Sequence, residues 1–195
     1  MNIWGENYLE KTDFKVGFAG VPPEFEKLKI YSLSKINTLR MLFFLTKSVV
    51  QNPRYFNASV FDNLKGQYSR SFLKKTDYFN FYDYFPYDEK IVNETIVREY
   101  KWEKAIDTDS SWRIGDGTSA FYNYIYFTVA GFSEFDTFRS NQIREGMITR
   151  SEGLSLVEKE NIARYETLRW YLQILGIDFE TAIGKINSIA KLYPL

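Results

Sequence analysis

The sequence predicts a mainly helical protein with at most a short strand or hairpin near its N-terminus. From Ser34 onward, apolar residues recur three and four positions apart, which is the spacing of a helix with one buried face. The last third of the chain also carries clear helix start and stop signals. Only the opening residues, Asn2 to Gly5, favour a short strand, which would lead into a polar loop at Glu6 and Asn7.

Two helices are predicted in the first part of the chain. The first has Ser32 or Ser34 as its N-cap and stops at Asn52-Pro53, because proline cannot continue a helix. The second runs from about Ser59 to Leu73, and the glycine at position 66 weakens it.

An aromatic run follows, in which seven of the eleven residues from Asp77 to Tyr87 are aromatic. We interpret this run as a long loop that buries alternate rings in the core or in an interface. The alternative is that the rings stack on a base or a sugar. A further helix is predicted to begin at Asp88-Glu89.

The last third of the chain reads as consecutive helices. Thr149 to Glu152 form a capping box, in which the threonine hydroxyl and the glutamate carboxylate each accept a backbone N–H of the other residue. A later helix is predicted to end at Gly176, which is a favourable C′ residue, and Asp178 is predicted to cap the final helix.

The turn from Gly115 to Ser119 precedes a predicted helix from Ala120 to Val129. Free amides at a helix start can hold a phosphate or a carboxylate, with Thr118 or Ser119 as the cap and Arg113 adding a bidentate contact. The alternative is a plain turn followed by a capped helix. The segment is not a Walker loop, because the spacing differs and no Lys-Ser/Thr pair follows.

The segment from Arg139 to Glu145 concentrates arginines, amides and an acid in seven residues. If Asp136 or Thr137 starts a helix here, Ser140 and Arg144 share one face, because residues four apart are neighbours on a helix. This segment is therefore predicted to form the wall of a binding site.

The two arginines of this segment, Arg139 and Arg144, lie five positions apart and point in different directions. One of them can meet a ligand phosphate while the other braces Glu145 or Asp116. The alternative is a helix with internal ion pairs, because unpaired charges are costly in a partly buried segment.

Composition excludes several classes of protein. Among 195 residues, 25 Lys and Arg balance 25 Asp and Glu, so no chain-wide field attracts nucleic acid or an anionic membrane. The absence of Cys and His excludes disulfides and Ser-His-Asp catalysis, and no metal ligands are predicted. No signal peptide is visible, and the most apolar stretch, Met41 to Val50, is too short to span a bilayer. We therefore expect a cytoplasmic protein without a membrane partner.

Several stretches of the chain resemble the C-terminal half of the N-acetyl sugar amidotransferase family, within the PP-loop (adenine nucleotide α-hydrolase-like) ATP pyrophosphatase superfamily. The stretches that carry the resemblance are WGEN, PYDE, EYKWE, WRIGDGTSAFYNYIY, AGF-E-DTFRSNQIREG and the closing KLYP. The resemblance covers nearly the whole chain, and the run from Trp112 to Gly146 is its most specific part.

The resemblance implies an ATP-dependent reaction. Such enzymes adenylate an oxygen of their substrate and release pyrophosphate, and ammonia from a separate glutaminase then displaces AMP. In the sugar branch, an acetamido group becomes an acetamidino group during surface-polysaccharide biosynthesis, and Mg²⁺ accompanies the ATP. Other branches act on tRNA or on small acids, but the zero net charge argues against tRNA.

The chain departs from the family pattern in one respect. The Ser-Gly-Gly-x-Asp-Ser phosphate loop and the upstream cysteine motif of these enzymes do not occur in it. We therefore expect residues 1–30 to be the residual end of an α/β, Rossmann-like nucleotide-binding domain, and residues 31–195 to be a mostly helical substrate and ATP region. A phosphate-loop half or partner chain would supply ATP and Mg²⁺ binding, and association of copies is expected. The alternative is a degenerate, non-catalytic binding or scaffolding subunit.

The resemblance also assigns candidate site residues. The predicted catalytic residues are Asp116, Arg139, Arg144 and Glu145. The predicted nucleotide- and substrate-binding residues are Glu6, Asn7, Arg113, Gly115, Gly117, Thr118, Tyr122, Asn123, Ser140 and Asn141.

Overall fold

A computed structural model describes residues 2–5, 7–10, 14–21, 34–72, 78–108 and 116–193. Within these ranges the protein is mainly α-helical, as predicted, with eight α-helices, four short 3-10 helices and one pair of short strands. None of the helices in the described ranges combines the length and the apolar character needed to traverse a bilayer.

The chain divides into two compact units. The first comprises Met1–Glu6 and Asp13–Phe85, and the second comprises Asn7–Thr12 and Pro86–Leu195. The predicted domain boundary between residues 30 and 31 lies outside the described residues and stays a prediction.

The first unit contains a two-stranded parallel sheet. Strand β1 (Asn2–Trp4) pairs with β2 (Tyr78–Asn80), and Ile3 lies opposite Phe79. The predicted N-terminal strand is therefore confirmed. The hairpin alternative is wrong, because the partner strand is parallel and comes from the aromatic run that was predicted as a loop.

The helices of the first unit lie close to their predicted positions. Helix α1 (Lys35–Gln51) is capped by Ser34, whose hydroxyl accepts the Asn37 N–H at 3.3 Å, and it ends at Asn52. Helix α2 spans Ala58–Phe72 and runs through the glycine at position 66 without a break.

The second unit contains six α-helices within its described residues. They are α3 (Glu89–Arg98), α4 (Thr118–Ala130), α5 (Glu134–Arg144), α6 (Arg150–Glu160), α7 (Tyr165–Ile174) and α8 (Phe179–Asn187). The predicted caps at Thr149 and Asp178 are confirmed, and Asp88 caps the helix that was expected to begin at Asp88-Glu89. Each of these side chains accepts a backbone N–H in the first turn. Gly176 follows α7 in the left-handed conformation, with a φ of 68°, as predicted.

The predicted start of α5 at Asp136 or Thr137 is wrong. Ser133 caps this helix with its hydroxyl, which accepts the Phe135 N–H at 3.0 Å. The Asp136 carboxylate accepts the Ser133 N–H at 2.8 Å, so it is the third residue of the helix in a capping box.

The core of the second unit is built around α5, α7 and the 3-10 turn Tyr8–Glu10. Leu9, Phe138, Leu168 and Leu172 are completely buried. Helix α5 packs on α6 and on the Tyr8–Glu10 turn, and α4, α7 and α8 pack on one another. This arrangement fixes α5, which carries most of the predicted site.

Candidate functional site

The predicted site residues that are described fall at two places in the second unit. One is the turn that starts α4, and the other is α5 with the N-terminal segment that packs on it. Glu6, Arg113 and Gly115 lie outside the described residues.

The turn before α4 is shaped by Asp116 and Gly117. The Asp116 carboxylate accepts the Thr118 N–H at 3.0 Å, and Gly117 is the N-cap, with a φ of 84°. Neither Thr118 nor Ser119 caps the helix, which corrects that prediction. Because a carboxylate of the protein already occupies this helix start, an external anion would meet like charge there.

Gly117 also allows a close helix contact. A Cβ atom built on this residue would lie 2.6 Å from the Cβ of Tyr171 on α7. Both the left-handed backbone and the lack of space therefore require glycine at this position.

Asn123 connects α4 to the rest of the second unit, whereas Tyr122 contacts another ring of α4. The Asn123 amide nitrogen donates to the Ser119 carbonyl at 3.0 Å, and its amide oxygen accepts the Glu134 N–H at 2.9 Å. This buried side chain thus ties α4 to the start of α5. The Tyr122 ring lies against that of Tyr126, with centroids 5.5 Å apart.

Arg139 lies at the centre of a buried ion network and is only 4% exposed. Its Nε donates to Glu160 at 2.9 Å, its Nη1 to Gln142 at 2.7 Å and its Nη2 to Glu89 at 3.0 Å. Two further hydrogen bonds join Nη1 to Glu89 and Nη2 to Glu160. These five contacts match the five N–H donors of a guanidinium, so the group is saturated by protein partners.

The electrostatics of Arg139 agree with a structural role. Burial alone would lower its pKa, but hydrogen bonds and charge attraction from Glu160 and Glu89 outweigh burial and raise the pKa above its usual value. The arginine braces Glu89 and Glu160 rather than Glu145 or Asp116. The alternative of internal ion pairs therefore describes this residue.

The outer side of α5 presents a different group of residues. Arg144 donates from Nη2 to the Asn141 amide oxygen at 2.6 Å and from Nε to the Ser140 carbonyl at 3.4 Å. The predicted common face of Ser140 and Arg144 is confirmed, and both side chains are exposed. Asn141 in turn donates to the Leu9 carbonyl at 2.8 Å, which joins α5 to the segment that follows β1 in sequence.

The segment on the inner side of this group contains Asn7 and Tyr8. The Asn7 side chain is buried, and its oxygen accepts the Leu9 N–H at 3.0 Å. Within the described part of the chain, its amide nitrogen has no hydrogen-bond partner. Burial, and secondarily the negative charge of Glu145, raises the pKa of Tyr8. The segment from Asn7 to Leu9 thus lies next to Asn141 and Glu145 at one end of α5, and Arg144 contacts Asn141 there.

A cleft of about 370 Å³ lies between α4, α8 and the connection from α6 to α7. The predicted residues Gly117 and Asn123 line it, together with residues that sequence reasoning missed. One of these is Tyr124, whose hydroxyl donates to the Asn187 amide oxygen at 3.0 Å. A hydrogen bond between Tyr124 and Tyr165 raises the pKa of Tyr165. Arg164 lines the same cleft and donates to the carbonyls of Asp107 and Glu160.

The cleft combines aromatic walls with hydroxyl and amide groups. Its charged lining groups are Arg164 and Glu160, and the Glu160 carboxylate is already held by Arg139. This chemistry suits a neutral, hydrogen-bonding molecule better than a polyanion. No local spacing signals the cleft, because Tyr124 and Asn187 lie 63 residues apart.

The described residues offer limited means of holding a cofactor. Arg144, with Ser140 and Asn141 beside it, can bind a single phosphate or carboxylate oxygen, but it cannot enclose a triphosphate. Within the described ranges, no three acidic side chains lie close enough to hold a metal ion. These residues therefore do not fit Mg²⁺, and they fit a nucleotide only at its edge.

No family model, curated protein or solved structure matches this chain.

Proposed function

We propose that this chain is the C-terminal part of an ATP-dependent amidotransferase of the PP-loop superfamily, with an N-acetyl sugar as its substrate. The motifs that resemble this family provide the first support. Their residues Asn7, Asn141, Arg144 and Glu145 come together at one end of α5.

The hydrogen bond from Asn141 to the Leu9 carbonyl is the observation that carries the proposal. It joins residues 132 positions apart, one next to the WGEN motif and one within the RSNQIREG motif. Two motifs that serve one site should meet in space, and this contact meets that requirement.

The roles we assign follow from exposure and charge. Arg144 is exposed and would bind a phosphate oxygen, where charge develops as pyrophosphate leaves. The acceptor, whose acetamido oxygen attacks the α-phosphorus of ATP, would bind next to Arg144, because the cleft beside Asn123 lies at the other end of α5, about 13 Å away along the helix axis. Ammonia then adds to the activated carbon and AMP departs. Arg139 is a positioning residue in this scheme, because its donors are saturated by Glu89, Glu160 and Gln142.

The parallel strand pair supports a partner that completes the sheet. Parallel sheets occur mostly with both faces covered, and an isolated two-stranded sheet is only marginally stable. Here Ile3 and Phe79, which lie opposite each other in β1 and β2, are both exposed. We assign phosphate and Mg²⁺ binding to the segment or partner chain that carries the phosphate loop, and ammonia supply to a glutaminase.

One alternative has a specific observation in its favour. Arg139 and Asn123, two predicted site residues, direct their side-chain hydrogen bonds to protein partners, and one carboxylate oxygen of Asp116 accepts the Thr118 N–H. A degenerate relative that acts as a non-catalytic binding or scaffolding subunit would show the same arrangement.

Substitution of Arg144 tests the proposal without disturbing the core. In an enzyme reconstituted with a phosphate-loop half, Arg144→Ala should lower pyrophosphate release by at least about 100-fold, the scale for losing one charge-stabilising donor. Arg150→Ala is the matched control, because Arg150 is also exposed and belongs to α6. Equal rates in both variants would remove the outer side of α5 from the site.

A further inference from the structure

Helix α1 of the first unit has its apolar side on the outside. Asn37 is buried and Met41 and Ser48 are half-buried, so these positions face the protein. Four apolar residues of α1, which we call the α1 stripe, are by contrast strongly exposed. The exposed fractions are 66% for Ile36, 66% for Leu39, 71% for Phe43 and 75% for Val50. These four residues are spaced by three, four and seven positions, which places them on one face of the helix.

Positive charge flanks the α1 stripe. Arg40 and Lys47 lie three and four residues from Phe43, and Lys35 lies four residues before Leu39, so all three border the stripe. Helix α1 contains no acidic residue. From Ser34 to Phe72 the sequence has six basic residues and one acid, a net charge of +5 in a chain whose total is zero.

The same character continues after α1. Tyr55 and Phe56, in the turn that joins the two helices, are 53% and 61% exposed. Exposed aromatic rings next to basic residues are typical of segments that lie at a lipid–water boundary. An exposed apolar stripe of this length is unfavourable in water, so it needs a partner.

The charges decide which partner fits best. Pairing of two α1 helices from two copies would bring like charges together. The cores of protein–protein interfaces are depleted in lysine, whereas helices that lie on membranes combine an apolar stripe with lysine and arginine. Helix α1 would be about 25 Å long and is not suited to crossing a bilayer, so it would lie in the membrane plane.

We propose that α1 docks on an anionic lipid surface, with the α1 stripe at the boundary between headgroups and acyl chains and with Lys35, Arg40 and Lys47 on lipid phosphates. This inference does not rest on the proposed enzymatic function. Each basic residue near an anionic surface contributes about 1 kcal/mol, or about five-fold in affinity. Neutralising the three cations should therefore weaken binding on the order of 100-fold.

Flotation of the purified chain with vesicles tests the proposal. The probe vesicles contain equal parts of phosphatidylcholine and phosphatidylglycerol, and the reference vesicles contain phosphatidylcholine alone. We expect the protein to float with the anionic vesicles, to float far less with the neutral ones, and to be released by high salt.

Three variants sharpen the test. Leu39→Ser with Phe43→Ser should abolish flotation, and Lys35→Gln with Arg40→Gln and Lys47→Gln should weaken it on the order of 100-fold. Ile174→Ser is the matched control, because this residue of α7 is equally exposed, at 63%, but lies in the second unit. The charge variant keeps the apolar side chains of α1 and removes one hydrogen bond within the helix, from Arg40 to Asn37. A cooperative unfolding transition shows that it is folded, so it remains informative if the serine variant unfolds.

Several results would overturn the proposal. They are absence of flotation with anionic vesicles, equal flotation with neutral vesicles, and flotation that survives both sets of α1 substitutions. Sedimentation velocity tests whether a second copy of the chain, rather than a membrane, covers the α1 stripe. This would be the case if the folded chain does not bind vesicles but forms dimers, and if the variant with Leu39→Ser and Phe43→Ser is monomeric.

Discussion

Removal of the Arg139 guanidinium should destabilise the second unit strongly. Arg139→Ala leaves the carboxylates of Glu89 and Glu160, whose side chains are 18% and 12% exposed, without their positive partner. It also removes five hydrogen bonds. Breaking a buried ion network by deleting one member costs about 3–5 kcal/mol, because the remaining charges stay poorly solvated. That cost is a large part of the about 5–15 kcal/mol by which a domain is usually stable.

The assay is urea unfolding of the purified chain, followed by circular dichroism. The midpoint of the unfolding transition should lie at a lower urea concentration for Arg139→Ala than for the unsubstituted chain, because the free energy of unfolding is smaller.

Arg144→Ala is the control for this experiment, because it removes an exposed arginine five residues away on the same helix. Its effect on the free energy of unfolding should stay within about 0.5 kcal/mol. If Arg139→Ala costs no more than Arg144→Ala, the buried network does not hold the unit together. The reasoning that makes Arg139 a positioning residue would then be refuted.

Two further predictions concern the backbone and a helix cap. Gly117→Ala and Gly131→Ala both place a side chain on a residue with left-handed backbone, but only a side chain at position 117 also meets Tyr171. Gly117→Ala should therefore lower the free energy of unfolding by about 1–3 kcal/mol more than Gly131→Ala, as measured by thermal or urea unfolding. Equal losses of stability in the two variants would contradict the close contact with Tyr171. Hydrogen bonds from the Thr149 hydroxyl, and secondarily from the Thr149 backbone N–H, lower the pKa of the Glu152 carboxyl. The ionised Glu152 carboxylate therefore stabilises the fold at pH values above its unfolded-state pKa, and this stabilisation is lost as pH falls through its folded-state pKa. Thr149→Val should raise the Glu152 pKa toward its ordinary value in an NMR titration, and an unchanged pKa would argue against the capping box.

Local signals were sufficient for the parts of the fold that depend on neighbouring residues. The caps at Ser34, Asp88, Thr149 and Asp178 involve hydrogen bonds across three residues, and sequence spacing reveals them directly. The predicted start of α5 was wrong because aspartate favours two positions near a helix start, the N-cap and the first turn. Asp136 occupies the third helical position, where its carboxylate accepts the N–H of Ser133, the actual N-cap.

Long-range partners could not be read from the sequence. Arg139 meets carboxylates 21 and 50 residues away, so its spacing on α5 could suggest either a ligand contact or an ion pair. The strand in the aromatic run was missed because its pairing partner lies at the other end of the first unit's sequence. The cleft likewise joins Tyr124 and Asn187 from two distant helices.

Chain averages also concealed a local feature. The zero net charge of the whole chain was the basis for expecting no attraction to anionic membranes. The basic residues are unevenly distributed, however, and the segment from Ser34 to Phe72 carries a net charge of +5 beside an exposed apolar stripe. The absence of a membrane partner therefore stays a prediction from the chain average, and the flotation experiment tests it against the local charge.

Pyrophosphate release from ATP is the measurement that tests the proposed amidotransferase function most directly. The purified chain would be assayed alone and mixed with a phosphate-loop half taken from a PP-loop enzyme, and its folding would be verified by a cooperative unfolding transition. We predict release only in the mixture, with further stimulation by an N-acetyl sugar. Absence of release in the mixture, from protein shown to be folded, would contradict the proposal and favour the non-catalytic binding subunit.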